Sequence, residues 1–160
     1  FSANGVNLVN VTTADEMYDV CINKFEQTHI TIMAAAVADY TPINKADEKI
    51  KKNEGSLNVE LTNTKDILKA LGEKKKKGQI LVGFALETNN EEAFANQKLK
   101  EKNADLIVLN SLNDTGAGFG YDTNKITIFE KGGKVYKFET KSKSEVAKDI
   151  IDTITQLYYA

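Results

Sequence analysis

His29-Ile30-Thr31-Ile32-Met33-Ala34-Ala35-Ala36-Val37-Ala38-Asp39-Tyr40-Thr41-Pro42 is the stretch on which the fold turns. It opens as an apolar, β-branched run, the pattern of a buried strand. It then becomes a row of alanines and ends at one acid, Asp39, beside Tyr40. Small side chains at the C-terminal end of a strand let a ligand approach the backbone, and in open α/β sheets ligands sit at that end. A carboxylate there can accept hydrogen bonds from a ligand's hydroxyl or amino groups. The same residues also suit tight helix packing with Asp39 capping a turn, so the stretch alone leaves both readings open.

Working outward toward the N-terminus, Thr13-Ala14-Asp15-Glu16 is a capping box, a hydroxyl with a carboxylate three residues on. The helix it starts is expected to reach about Gln27, with Met17, Val20, Cys21 and Phe25 on one face. Val6 to Val11 alternates apolar and polar and is expected to form a short strand. Strand, helix, strand is the signature of a parallel βαβ unit.

Beyond Pro42 the pattern breaks. Asn44 to Gly55 is polar and lysine-rich, and reads as a long excursion with a short strand at Glu48 to Lys52. It is either a flap beside the ligand-facing end of the sheet or a solvated insertion. A strand is expected from Leu57 to Leu61, and a helix from Asn63-Thr64-Lys65-Asp66 with Ile67, Leu68 and Leu71 turned inward. Lys74 to Lys77 suits a solvated helix C-terminus, with a phosphate site as the alternative. Gln79 to Glu87 is a second buried strand containing Gly83-Phe84. A helix from about Asn89 to Asn103 then places Lys98 and Lys102 one turn apart on one face. They can clamp a polyphosphate, or form a solvent face partly neutralised by Glu101. Ala104 to Asn110 is a third buried strand. The glycine-rich loop Asp114 to Gly120 resembles a phosphate loop only loosely. Lys125 to Phe129 and Lys134 to Phe138 form a hairpin through Lys131-Gly132-Gly133. Its apolar residues Ile126, Ile128, Val135 and Phe138 serve either a dimer contact or the chain's own core. Ser142 to Tyr158 is an amphipathic helix marked by Val146, Ile150, Ile151, Ile154 and Leu157.

The expected fold is α/β: a three-layer Rossmann-like sandwich, its sheet mainly parallel with an antiparallel hairpin extension. The 160 residues suit one domain with a real core. A net charge of -2 gives no bulk attraction to nucleic acid or to a membrane surface. No apolar run reaches the roughly 20 residues that span a bilayer. One cysteine, Cys21, allows no internal disulfide and points to an intracellular, cytoplasmic setting; it is read as a small core residue. One histidine, His29, has no second histidine with which to share a zinc ion. Asp39, Phe84 and Asn110 at three strand ends, with Lys49, Lys98 and Lys102, fit a nucleotide. An aromatic face stacks on a base, a carboxylate binds a sugar or base edge, and lysines neutralise phosphates.

Ala34-Ala35-Ala36-Val37-Ala38-Asp39-Tyr40, Glu48-Lys49-Ile50-Lys51-Lys52, Gly83-Phe84-Ala85-Leu86-Glu87-Thr88, and Gln97-Lys98 with Lys102 to Ile107 together resemble phosphopantothenoylcysteine synthetase. In many bacteria that enzyme is the C-terminal domain of a bifunctional flavoprotein of coenzyme A synthesis, so a linked flavin decarboxylase domain is expected as a partner. The resemblance runs from about Thr12 to the end of the chain. It implies a homodimeric ligase joining 4'-phosphopantothenate to L-cysteine, with CTP and Mg²⁺, through an acyl-cytidylate. It places Asp39 on the cytidine, and Lys49 at the phosphates near the reacting centre as the catalytic residue. It places Thr64, Lys65, Asp66 and Ile67 at a helix start that touches CTP. Thr64 and Lys65 depart from the family's usual residues there. Phe84 would pack on the nucleotide, while Lys98 and Lys102 would hold the triphosphate. The family's glycine- and serine-rich N-terminal segment, with its asparagine for the acyl-cytidylate, has no match in residues 1 to 160. The domain is thus expected to lack one wall of its site, and alone to bind CTP weakly or not at all and not to turn over. The alternative is a non-catalytic or generic nucleotide-binding α/β domain.

Overall fold

The structure, a computed structural model, describes residues 5–44, 46, 48–51, 56–87, 89–111 and 120–160. Four helices and nine strands occur among them. In chain order they are α1 (Ala14–Phe25), β1 (Ile30–Met33), β2 (Tyr40–Pro42), β3 (Leu61–Asn63), α2 (Ile67–Lys74), β4 (Ile80–Glu87) and α3 (Glu91–Glu101). They continue with β5 (Leu106–Ser111), β6 (Thr123–Asn124), β7 (Ile126–Glu130), β8 (Val135–Lys137), β9 (Lys141–Ser142) and α4 (Lys143–Tyr158). The main sheet has the order β1-β4-β5-β7-β8, parallel through β5 and antiparallel thereafter. This is the expected three-layer α/β fold.

Alternation along the central strands fixes the layers. Ile80, Val82, Leu106, Val108, Ile126 and Ile128 face α4, whose Val146, Ile150 and Ile154 recur every fourth residue. Leu81, Ile107, Leu109 and Phe129 face the other way, under α1, α2 and α3. Full burial of each such side chain contributes about 1.5–3 kcal/mol. The expected capping box at Thr13 forms, and a second, not anticipated, forms at Ser142. Thr13 accepts from the Glu16 N–H and Ser142 from the Glu145 N–H, and each glutamate accepts in return from the cap's own N–H.

Several expectations are corrected. Val6 to Val11 is not a strand: Val6, Leu8, Val9 and Val11 are exposed and no described segment pairs with them. Alternation gives a segment a face, but a strand also needs a hydrogen-bonding neighbour. Among the described residues β1 is not a buried strand but a sheet edge, paired only with β4. Ile30 and Ile32 stay 40% and 38% exposed because no described element reaches their face. The strand expected from Leu57 to Leu61 lies instead at Leu61–Asn63, paired antiparallel with β2. That pairing takes Asn63 out of the helix start, and Asp66 caps α2. Glu48 to Lys51 is not a strand, and Lys52 lies outside the described residues. So do residues 112–119, which hold most of the glycine-rich loop. Ile151 is 51% exposed, on the solvent side of α4. Ile126 and Ile128 are buried, so the hairpin's apolar face is spent mainly on the core, and Val135 remains exposed. Lys75 is not a solvated helix-end lysine; its ammonium sits 2.7 Å from the Asp105 carboxylate. Cys21 packs beside Phe25 and Leu71, and burial raises its thiol above the ordinary value, which suits a core role. No helix among the described residues is long and apolar enough to cross a membrane.

Candidate functional site

A cleft of about 570 Å³ opens beyond the C-terminal end of β1, the end at which open α/β sheets take ligands. One wall comes from Met33, Ala35, Val37 and Asp39, the second from Asn63 to Lys69, and the third from Phe84, Lys98 and Lys102. Eight of the nine residues singled out from the sequence therefore meet here: Asp39, Thr64, Lys65, Asp66, Ile67, Phe84, Lys98 and Lys102. The ninth, Lys49, is exposed on the stretch after β2 and does not line the cleft. Asn110, at the end of β5, lies outside it and accepts a hydrogen bond from Asn124.

Thr64 builds the corner. Its N–H donates to the Asp39 carbonyl at 2.9 Å and its hydroxyl donates to the Ala38 carbonyl. The segment leading into α2 is thereby fastened to the loop that carries Asp39. The Asp39 carboxylate itself has no hydrogen-bond or ion-pair partner among the described residues. Lys65 turns the other way. Its ammonium is 3.1 Å from Asp15 and 4.9 Å from the centre of the Tyr18 ring, both on α1. The Asp15 hydrogen bond, then its charge, raise the Lys65 pKa. Ile67 is 5% exposed and anchors the start of α2 in the core.

Asp66 has two partners. One carboxylate oxygen caps α2 by accepting from the Lys69 N–H at 2.9 Å, and the other accepts from the Lys102 ammonium at 2.7 Å. Partial burial pushes its carboxyl up. The Lys102 hydrogen bond, the Lys69 N–H and the charges of both lysines outweigh that and leave it below the ordinary value. Lys98 is 3.2 Å from Glu87, the last residue of β4. The two cleft lysines are thus held apart by two different carboxylates, not neutralised by Glu101, which accepts from Gln97.

Two glycines set the spacing. A Cβ on Gly83 would meet Leu68 of α2 at 2.5 Å, so the small residue before Phe84 lets the helix seat on β4. A Cβ on Gly72 would lie 1.8 Å from the Lys102 carbonyl, so α2 and the end of α3 touch backbone to side-chain position. Asn103, in the left-handed region at φ 47°, donates to the Gly72 carbonyl at 2.8 Å. Sequence reading missed Asn63 and Lys69 as cleft residues. Asn63 ends the β2–β3 ladder, which is too short and too polar to show as a pattern, and Lys69 lies in the first turn of α2.

The family model for the DNA/pantothenate metabolism flavoprotein C-terminal domain matches residues 2–158. The chain belongs to that family. A solved C-terminal domain of the coenzyme A biosynthesis bifunctional protein CoaBC is similar to this flavoprotein C-terminal domain, with a TM-score of 0.75 at 38% identity. The match covers 93% of this chain and 64% of that one. The CoaBC protein of Bacillus subtilis strain 168 is 46% identical over 149 residues, 93% of this chain and 36% of its own length. A cysteine/cysteine sulfinic acid decarboxylase from an unknown prokaryotic organism is 50% identical over 158 residues. That match takes in 99% of this chain. The chain spans 44% of that relative. Among the described residues no group of three or more His, Cys, Asp or Glu side chains is placed to hold a metal ion.

Proposed function

We propose that this flavoprotein C-terminal domain works in phosphopantothenate–cysteine ligation for coenzyme A biosynthesis, using CTP by way of an acyl-cytidylate. The observation that carries the reading is the convergence of residues from three separate stretches of sequence on one cleft. It brings a free carboxylate, an aromatic side chain and two lysines to the ligand-facing end of the sheet. The CoaBC relatives support it, since their names assign them to coenzyme A biosynthesis. The decarboxylase name belongs to a relative of which this chain covers 44%, and is no guide to this part alone.

In this reading Asp39 accepts from the nucleoside, Phe84 packs on it, and Lys98 and Lys102 take the phosphates. The 4'-phosphopantothenate carboxylate attacks the α-phosphorus of CTP and pyrophosphate leaves. The amine of L-cysteine then attacks the acyl carbon, CMP leaves, and the ammonium proton passes to solvent. Cations at the departing pyrophosphate stabilise the charge that develops there. Lys49, on an exposed segment, is assigned to the phosphates and reaches them by closure of that segment over bound nucleotide. The domain is proposed to act as a homodimer in the cytoplasm.

Magnesium fits this cleft as a passenger on the nucleotide. Such ions are commonly held by one or two carboxylates together with substrate phosphates and water. The lining carboxylates among the described residues are Asp39 and Asp66; with Asp39 on the nucleoside, Asp66, beside Lys102, would be the one to reach the ion through water. When bound, the ion would share the charge of the phosphates.

Isothermal titration of the chain with CTP and then ATP in Mg²⁺, repeated with Lys98→Ala, tests the reading. Preference for CTP, lost in the variant, supports it. Equal binding of both nucleotides favours a generic nucleotide-binding domain.

A further inference from the structure

Glu87 holds a cleft lysine without lining the cleft. It ends β4, and its carboxylate reaches across to Lys98 in α3, 3.2 Å away. The Glu87 side chain is 23% exposed and that of Lys98 36%, so the pair is only partly screened by water. Lys98 lines the cleft and Glu87 does not. An ammonium has three N–H donors. One spent on Glu87 leaves two for an anion and fixes where they point.

We propose that Glu87 is a positioning residue that acts through Lys98. It orients the ammonium toward the cleft, and its negative charge sets how tightly the cleft holds a polyphosphate. The inference rests on the reading of Lys98 and Lys102 as phosphate ligands. A carboxylate beside one of them keeps the lysine in place while lowering its net pull.

The test is binding of inorganic tripolyphosphate to the whole 160-residue chain at low salt. It compares the parent, Glu87→Gln, Glu87→Ala, Lys98→Gln and the double variant E87Q/K98Q, with thermal melts of the same samples to confirm folding. E87Q removes the charge but keeps an acceptor, and should tighten binding about three- to fivefold. A residue that merely tied β4 to α3 would give weaker or unchanged binding on substitution. Glu87→Ala removes charge and acceptor together and should tighten binding less than E87Q. Lys98→Gln should weaken binding, and E87Q should tighten it less in the Lys98→Gln background than in the parent, because part of its effect passes through that lysine. Three results would each overturn the proposal: no tightening in E87Q, the same gain from E87Q in the Lys98→Gln background, or Glu87→Ala tightening as much as E87Q. If the parent fails to bind tripolyphosphate, the phosphate reading itself falls and takes the role of Glu87 with it. If the parent binds and Lys98→Gln weakens it without an E87Q effect, only the role of Glu87 falls.

Discussion

At the scale of single residues, the cleft is set by two small contacts and one shared carboxylate. Gly72 has no side chain because the Lys102 carbonyl occupies its Cβ position, 1.8 Å away. Gly72→Ala must push the end of α3 off α2, which moves Lys102 and breaks the Asn103 bond to the Gly72 carbonyl. The expected loss is about 3 kcal/mol or more, read by denaturant unfolding; a loss within experimental error would mean the two helices separate freely. Asp66 gives a second prediction. Its folded carboxyl lies below the ordinary 3.8, so its contribution is fully present above that value and is lost as pH falls through the lower folded one. Asp66→Asn keeps an N-cap acceptor but has no charge to lose. The difference in melting temperature between the parent and Asp66→Asn should therefore shrink as pH drops below about 4. A difference constant with pH would place the effect in packing instead. Much of the cleft's membership was legible in the sequence, from Asp39, Phe84 and the Lys98/Lys102 pair at helical spacing, although Phe84 lies within β4 and Asp39 on the segment between β1 and β2, not at the strand ends expected for them. What each side chain does was less so. Lys98 and Lys102 find their carboxylates 11 and 36 residues away, and Lys65 turns to α1, which local spacing does not report.

Among the elements, a tie at the other end of the sheet joins β4 to the end of α2. Asp105, just before β5, accepts from the Leu81 N–H at 2.8 Å with one oxygen and from the Lys75 ammonium at 2.7 Å with the other. Lys75 has a side chain only 9% exposed. Asp105→Ala would leave that ammonium shielded from water and the Leu81 N–H without its partner. Removing one member of such a pair costs about 3–5 kcal/mol, and equilibrium unfolding should show a loss in that range. A loss below about 1 kcal/mol would mean water reaches Lys75 readily. Elements with a strong local signal were legible: the capping box at Thr13 and the apolar period of Val146, Ile150, Ile154 and Leu157 place the starts of α1 and α4 within a residue. β4 and β5 follow from their apolar runs. The β2–β3 ladder was not, since three-residue strands with exposed side chains carry no period. Val6 to Val11 was misread for the opposite reason. Its alternation is clear, yet pairing depends on a neighbour that local pattern does not reveal.

For the whole molecule, burial falls off across the sheet. β4, β5 and β7 lie between helices, with Leu81, Val82, Leu106, Ile107, Val108 and Ile128 at 0% exposure. β1 stands at the edge with Ile30 and Ile32 open, and β2 and β3 pair only with each other outside the main sheet. The cleft therefore joins a rigid side, Phe84 with Lys98 and Lys102, to a lightly held side, Asp39 with Thr64. Local opening draws on regions with few buried contacts and exposed backbone hydrogen bonds. Amide hydrogen exchange on the chain should show the slowest exchange in β4 and β5, close to the global unfolding free energy. β1 should be intermediate, because only its β4-facing groups are bonded within the sheet. β2, β3 and the residues around Thr64 should exchange fastest among the strands. If the cleft takes a nucleotide, added CTP should slow the Thr64 and Asp39 amides far more than those of β4, since closing the loose side against the rigid one is where binding would order the chain. Uniform slowing across all strands would instead mean that ligand stabilises the fold globally and that the two sides of the cleft already move as one. No slowing at Thr64 with CTP at saturating concentration would remove the corner it builds from the binding site.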